Sequence, residues 1–363
     1  MNKETGRLFS PIKIGPLRLK NRIIKPATNE GMAKGGLVSK GLARFHERIA
    51  AGGASLSTVA YCAIDRDGRT FVDQVTMDNG SLRDFRILTD GVHKNGAAAS
   101  AQLTHAGSFT FLPKEEFPQS RAISASGGFN KVGVLTKRYF KRPLDRDGMD
   151  TIADQFVSAA KYAREAGFDA VELHMGHGYL LSQFISPLYN SRQDAFGGSL
   201  ENRMRFPADV LSRVLDAIGR DLAVIVKYSM TDGKKGGNGI EDGVAIAKIL
   251  EKTGAHLAVL SNGLNVESIQ AMFGSPLPPS SQNVSNPIVK LGMKIQSMTV
   301  PPDTQFRETY LRDLAREVRQ SVSIPLSYLG GVQSYVNAKD IIADGFDCIA
   351  LGRTLIHDPN IIN

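Results

Sequence analysis

A chain of 363 residues, 42% hydrophobic and 22% charged, has the composition of an ordinary soluble globular protein and the length for one large domain or two medium ones. No apolar run approaches the ~20 residues of a membrane span, no signal-peptide core follows the polar start Met1–Arg7, and a cytoplasmic setting is expected. The net charge of +8 brings no helix-turn-helix, RNA-binding or zinc pattern with it, so no nucleic-acid partner is expected. Cys62 and Cys348 stand outside any CxxC motif and beside predicted strands, which reads as two buried, inert thiols in a reducing compartment.

In chain order, residues 8–20 alternate apolar and polar about Gly15-Pro16 and predict a β-hairpin. A first strand at 22–25 stops at Pro26. A helix over 40–51 ends at Gly52-Gly53, and a second strand covers 56–61. A helix over 81–94 ends at Asn95-Gly96 and leads to a third strand at 98–103. The segment 104–150, with its prolines, glycines and a basic cluster (Lys137, Arg138, Lys141, Arg142), reads as a long functional loop. Thr151-x-x-Asp154 predicts the cap of a helix over 151–166 that ends at Gly167, before a fourth strand at 170–173. Helices over 202–218 and 240–252 precede strands at 222–227 and 255–260. A second long loop spans 262–304. A helix over 307–320, a strand at 324–328, a helix from Ser334 to Ala343 and a strand at 347–351 complete the pattern. Eight strands separated mostly by helices predict a single (β/α)8 barrel domain over 1–363, with the hairpin plugging its amino-terminal mouth and long loops after strands 3 and 6.

The chemistry gathers at strand carboxyl ends, where such barrels bind ligands. Residues 170, 172 and 174 share one face of the fourth strand, so His174 emerges at its end, with His177 and Tyr179 just beyond. Two imidazoles and a phenol can hold a carbonyl oxygen and deliver a proton. Thr28, Gln102 and Lys227 mark three other strand ends, and each buried polar group there needs a partner, which a heteroatom-rich ring would supply. Gly330-Gly331 and Gly352-Arg353 follow the last two strands. Glycine backbones, a helix N-terminus and a guanidinium suit a phosphate. A metal bound by His174 and His177 lacks a third ligand, and Lys227 opposes a cation, so no metal is expected.

With these residues in place, four blocks resemble the old yellow enzyme family of FMN-dependent ene-reductases and NAD(P)H:flavin oxidoreductases: LFSPIKIGPLRLKNRIIKPAT (8–28), AQLTHAGS (101–108), AGFDAVELHMGHGYLLSQFISPLYNSRQDAFGGSLENRMRF (167–206), and PLSYLGGV with DCIALGRTLIHDP (325–332 and 347–359). The resemblance implies a TIM barrel with tightly but non-covalently bound FMN, and NADPH or NADH as reductant. It assigns flavin contacts to Pro26, Ala27, Thr28, Tyr61, Gln102 and Lys227, the phosphate to Gly330, Gly331, Gly352 and Arg353, the grip on a substrate carbonyl to His174 and His177, and the proton to Tyr179. Hydride would pass from NAD(P)H through flavin N5 to the activated C=C bond of an α,β-unsaturated carbonyl compound. Lys227 stands where the family usually has arginine, which gives up a two-pronged contact. The chain stops at Asn363, where many members continue, so a short single-domain form or a truncated one is expected, with a homo-oligomer left open.

Three other readings remain at this point. The same fold can serve another acceptor: a quinone, a nitro compound or an enoyl- or dienoyl-CoA thioester. A metal-dependent barrel hydrolase would use His174 and His177. An idle flavin-binding protein would not need the set His174, His177 and Tyr179. The basic cluster suits a solvated loop near an anionic cofactor or substrate, such as a 2′-phosphate or a CoA tail.

Overall fold

The computed structural model describes residues 3–77, 82–275 and 306–363. Ile12–Ile14 (β1) and Leu17–Leu19 (β2) form the predicted antiparallel hairpin. Ile23–Lys25 (β3), Leu56–Ala63 (β4) and Ala98–Thr104 (β5) open the barrel. Three short strands follow, Ile123–Ser124 (β6), Gly128–Phe129 (β7) and Phe140–Pro143 (β8). Ala170–Met175 (β9), Ala223–Ser229 (β10), Leu257–Ser261 (β11), Leu326–Tyr328 (β12) and Cys348–Ala350 (β13) complete it. The closed order is β3-β4-β5-β9-β10-β11-β12-β13, every pair parallel, with β13 returning to β3.

The strand alternation sorts side chains between two cores. On β9, Val171, Leu173 and Met175 face the helical layer, whereas Ala170 belongs to a separate cluster inside the barrel. That inner cluster also takes Ile14 and Leu19 from the hairpin, both buried, against Ile24, Ile225 and Val259. The hairpin is the apolar plug of the amino-terminal mouth, as the sequence predicts. Both cysteines are buried free thiols.

The outer helices follow the predicted stripes, with differences that have physical causes. The helix predicted from Thr151 begins at Arg146, because Asp145 rather than Thr151 accepts the first-turn N–H, from Gly148. The helix predicted from Arg307 begins at Arg312. A short helix at Leu180–Ile185 was not expected; it is buried on all sides and shows no amphipathic period. The segment 104–150 is not one irregular loop. Its strands form a small sheet in the order β6-β8-β7, and Arg138 of the basic cluster is buried, donating to the carbonyls of Leu112, Phe117 and Ser120 at 3.2, 2.7 and 2.6 Å. Of the loop predicted over 262–304, residues 269–273 form a helix and residues 276–304 lie outside the described residues. Among the described residues no helix is long and apolar enough to cross a membrane.

If the hairpin is part of the barrel core, Ile14→Ala will cost about 2–5 kcal/mol of unfolding free energy, as for other buried aliphatic truncations. Denaturant titration checks this, and a cost under about 0.5 kcal/mol, typical of a surface site, would place the hairpin outside the core.

Candidate active site

The opposite mouth is polar. A cleft enclosing about 1100 Å³ of empty space, open solvent at its mouth included, lies at the strand carboxyl ends. Pro26, Ala27, Thr28, Tyr61, Gln102, His174, His177, Tyr179, Lys227, Gly331, Gly352 and Arg353 all line it. Gly330 is the one sequence-predicted residue that does not. A Cβ there would stand 2.4 Å from the Tyr328 hydroxyl, so this glycine answers to packing behind the cleft wall. Tyr61 reaches the cleft through a β-bulge: the β4–β5 register shifts between Val59 and Cys62.

His174 and His177 stand edge to face with ring centroids 5.0 Å apart, and Tyr179 lies 4.6 Å from His174. His174 Nδ1 accepts from the Gly176 N–H at 3.4 Å, which leaves Nε2 to carry the proton. His177 holds a left-handed backbone, φ +63°, unusual for a side chain of its size. Its N–H donates to Ser229 Oγ at 3.2 Å, its carbonyl accepts from Asn265 N at 3.1 Å, and its Nε2 bonds Ser261 Oγ at 2.6 Å. Such backbone strain costs of order 1–3 kcal/mol and persists only where the surroundings fix it.

Electrostatics make this set neutral. Burial holds both imidazoles well below the usual histidine range. His177 and the Lys227 ammonium add to the depression at His174, and Lys227 adds to it at His177. Burial also pushes the Tyr179 phenol well above its ordinary value, helped by the neighbouring Tyr61 phenol and opposed by the nearby Asn265 side chain. Near neutral pH the site therefore offers two uncharged imidazoles and a protonated phenol.

Deeper in the barrel sits a carboxylate that the sequence reading passed over. Glu172 is buried, and its Oε1 accepts from Gln102 Nε2 at 2.7 Å across the β5–β9 register. The bond uses one of the two N–H groups of the Gln102 amide and leaves the other, with the carbonyl oxygen, for a ring. Burial lowers the Lys227 pKa and raises that of Glu172, and each charge opposes the other's shift. Lys227 Nζ also donates to the Ala27 carbonyl at 3.3 Å. The signal for Glu172 was available, since it shares the 170/172/174 face. Ser261 and Asn265 carried no such signal, because their roles depend on contacts between distant strands.

At the far end, the N-terminus of the helix at 335–343 is filled. Glu308 Oε2 accepts from the N–H groups of Gln333 and Ser334, both at 3.0 Å. A carboxylate thus already stands at the N-cap of the helix after the seventh strand. A candidate anion seat follows the eighth strand. Gly352, Arg353 and Thr354 line the cleft at the start of the helix Arg353–His357, whose first-turn N–H groups have no intrahelical acceptor. A Cβ on Gly352 would fill space 3.6 Å from Pro26 and 3.7 Å from Thr28. Thr28 donates its hydroxyl to Glu30 at 2.9 Å, so that proton is already committed. The cleft thus combines an acceptor oxygen, a buried cation and a glycine-lined anion seat, which suits a planar, heteroatom-rich ring with a phosphate tail.

Residues 7–300 match the model of the NADH:flavin oxidoreductase / NADH oxidase family. The chain belongs to this family. It is 36% identical over 366 aligned positions to a 4,4′-dithiodibutanoate disulfide reductase of Rhodococcus erythropolis, covering 99% of this chain and 88% of that one. It is 31% identical to an NADPH dehydrogenase of Listeria welshimeri, covering 98% and 92%. An NADH oxidase of Thermoanaerobacter brockii is 33% identical, but the chain spans only 49% of its length. The fold matches an old yellow enzyme homologue from Zymomonas mobilis with a TM-score of 0.74 at 23% identity, covering 98% of this chain and 90% of that one. It also matches a 2-naphthoyl-CoA reductase with a TM-score of 0.82 at 22% identity, covering 99% and 52%. The chain is thus an oxidoreductase of a flavin-dependent family. Among the described residues no three histidine, cysteine or carboxylate groups cluster to hold a metal ion.

Because burial depresses both site histidines, neither will be protonated at about pH 6, where an unperturbed imidazole with pKa ≈ 6.5 is mostly charged. Ring ¹⁵N shifts of His174 and His177 check this; titration of either ring near its ordinary value would contradict the neutral site.

Proposed function

We propose that this protein is an FMN-dependent reductase that oxidises NAD(P)H and reduces the activated C=C bond of α,β-unsaturated carbonyl compounds in the cytoplasm. The observation that carries the proposal is the neutral group His174, His177 and Tyr179, held together over a cleft with the features of a flavin site.

Bound FMN supplies the two-electron chemistry that links nicotinamide and acceptor. Gln102 would offer its carbonyl oxygen to an N–H of the ring, and Lys227 would place positive charge beside it. Gly331, Gly352 and Arg353 would hold the phosphate, with Pro26, Ala27, Thr28 and Tyr61 completing the walls. His174 and His177 donate to the carbonyl oxygen of the acceptor. As that oxygen gains negative charge their bonds strengthen, and this preference for the transition state accelerates the reaction. Tyr179 gives its proton to Cα. Asn265, whose side chain favours the phenolate, eases that transfer.

A second acceptor class is favoured by the likeness to the disulfide reductase, which extends over 99% of this chain. Reduction of a disulfide needs a proton for the departing thiolate, and Tyr179 can supply one.

Tyr179→Phe will slow acceptor reduction by about 10²–10⁴-fold, the usual worth of a positioned general acid, while flavin reduction by NAD(P)H changes by less than about threefold. Stopped-flow absorbance separates the two half-reactions, and equal slowing of both would remove Tyr179 as the specific acid.

A further inference from the structure

Phe109 packs edge-on against Tyr179, with ring centroids 5.6 Å apart, and also lines a second, smaller hollow with Tyr189, Lys131, Lys141 and Glu267. Asn265 lines the main cleft and Glu267 the hollow, so the 265–267 segment borders both, and Phe109 lines the hollow with its ring against Tyr179 of the cleft. The Lys141 ammonium stands 5.7 Å from the centroid of the Tyr189 ring. Its neighbours in the sequence cluster are otherwise engaged: Lys137 pairs with Glu115 at 2.6 Å, and Arg138 is spent on three carbonyls. Glu267 is the one acidic group lining the hollow, and its carboxylate accepts from the Tyr189 hydroxyl. Burial lowers the Lys141 pKa and Glu267 raises it, with Lys131 lowering it further. Two ammonium groups against one committed carboxylate leave the hollow net positive, next to the site where the acceptor reacts.

We infer that this hollow is a distal subsite for an anionic group on the acceptor, a carboxylate held by Lys141 with Lys131 beside it. Building on the reading of the reactive cleft given above, the preferred acceptor is then amphiphilic. Its carbonyl sits at His174 and His177, its apolar stem lies along Phe109, and its carboxylate reaches Lys141. The stem must be flexible, because Phe109 and Tyr179 stand between the two hollows and a chain of methylene groups has to bend around them.

The test uses the FMN-loaded protein and two enals that differ only in charge, 8-oxooct-6-enoic acid and its methyl ester. Binding to the oxidised protein is read from the shift of the flavin visible spectrum, which requires no turnover. The acid is expected to bind about tenfold more tightly than the ester, the worth of one charge-assisted hydrogen bond. Lys141→Met should abolish that preference and leave the ester unchanged, Lys141→Glu should reverse it, and added salt should weaken the acid alone. Equal binding of acid and ester by the unaltered protein, or equal weakening of both by Lys141→Met, would overturn the subsite. Turnover of 2-cyclohexenone, which has no tail, reports on the reactive cleft separately. Reduction of it without a preference for the acid would refute only the subsite. A preference for the acid with no reduction of any enone or enal would refute only the ene-reductase reading.

Discussion

A hydrogen bond inside the barrel, from the Gln102 amide to the Glu172 carboxyl, constrains everything above it. A carboxyl group in that interior is expensive unless it is paired, and a lysine there is equally so. Glu172, Gln102 and Lys227 reduce each other's cost, and in doing so they fix which polar atoms face the cleft. One N–H of the amide and part of the ammonium's hydrogen-bonding capacity are used within the protein. A carbonyl oxygen and a positive charge remain for a ligand. The apolar hairpin closes the other mouth with Ile14 and Leu19, so the polar interior opens in one direction.

The same buried cation shapes the reactive group. Lys227 helps to hold His174 and His177 neutral, and in the proposed reaction that makes them hydrogen-bond donors rather than competitors of Tyr179 as sources of a proton. Tyr179 keeps its proton because burial disfavours the phenolate. In the proposed reaction, donation to an oxygen and delivery of a proton are thereby divided between different side chains by their environments. The strained backbone of His177 is the cost of bringing its ring to this place, and Ser229, Ser261 and Asn265 hold it there.

Much of this was legible in the sequence because it rests on local pattern. The β/α alternation gave the barrel, and the period of two in 170–174 put His174 on the inner face. Glycines after the last two strands marked one end of the cleft, although Gly330 packs against Tyr328 and does not line it. What escaped depends on register and on distant contacts. Glu172 needed Gln102 opposite it, seventy positions earlier in the chain, before its burial made sense. Glu308 reaches the N-cap of a helix from another segment, a contact that no local pattern announces. The small sheet in 122–143 has strands of two to four residues, too short for alternation to show. The basic cluster looked uniform in sequence, yet one guanidinium is structural, one ammonium is paired and another lines a hollow beside the reactive group.

The most direct measurement is an anaerobic titration of the FMN-reconstituted protein, followed by visible absorbance. NADPH or NADH should bleach the flavin, and 2-cyclohexenone added next should restore its spectrum. A protein that takes up no FMN would contradict the reading of the cleft, and a bleached flavin that the enone leaves unchanged would contradict the role given to His174, His177 and Tyr179.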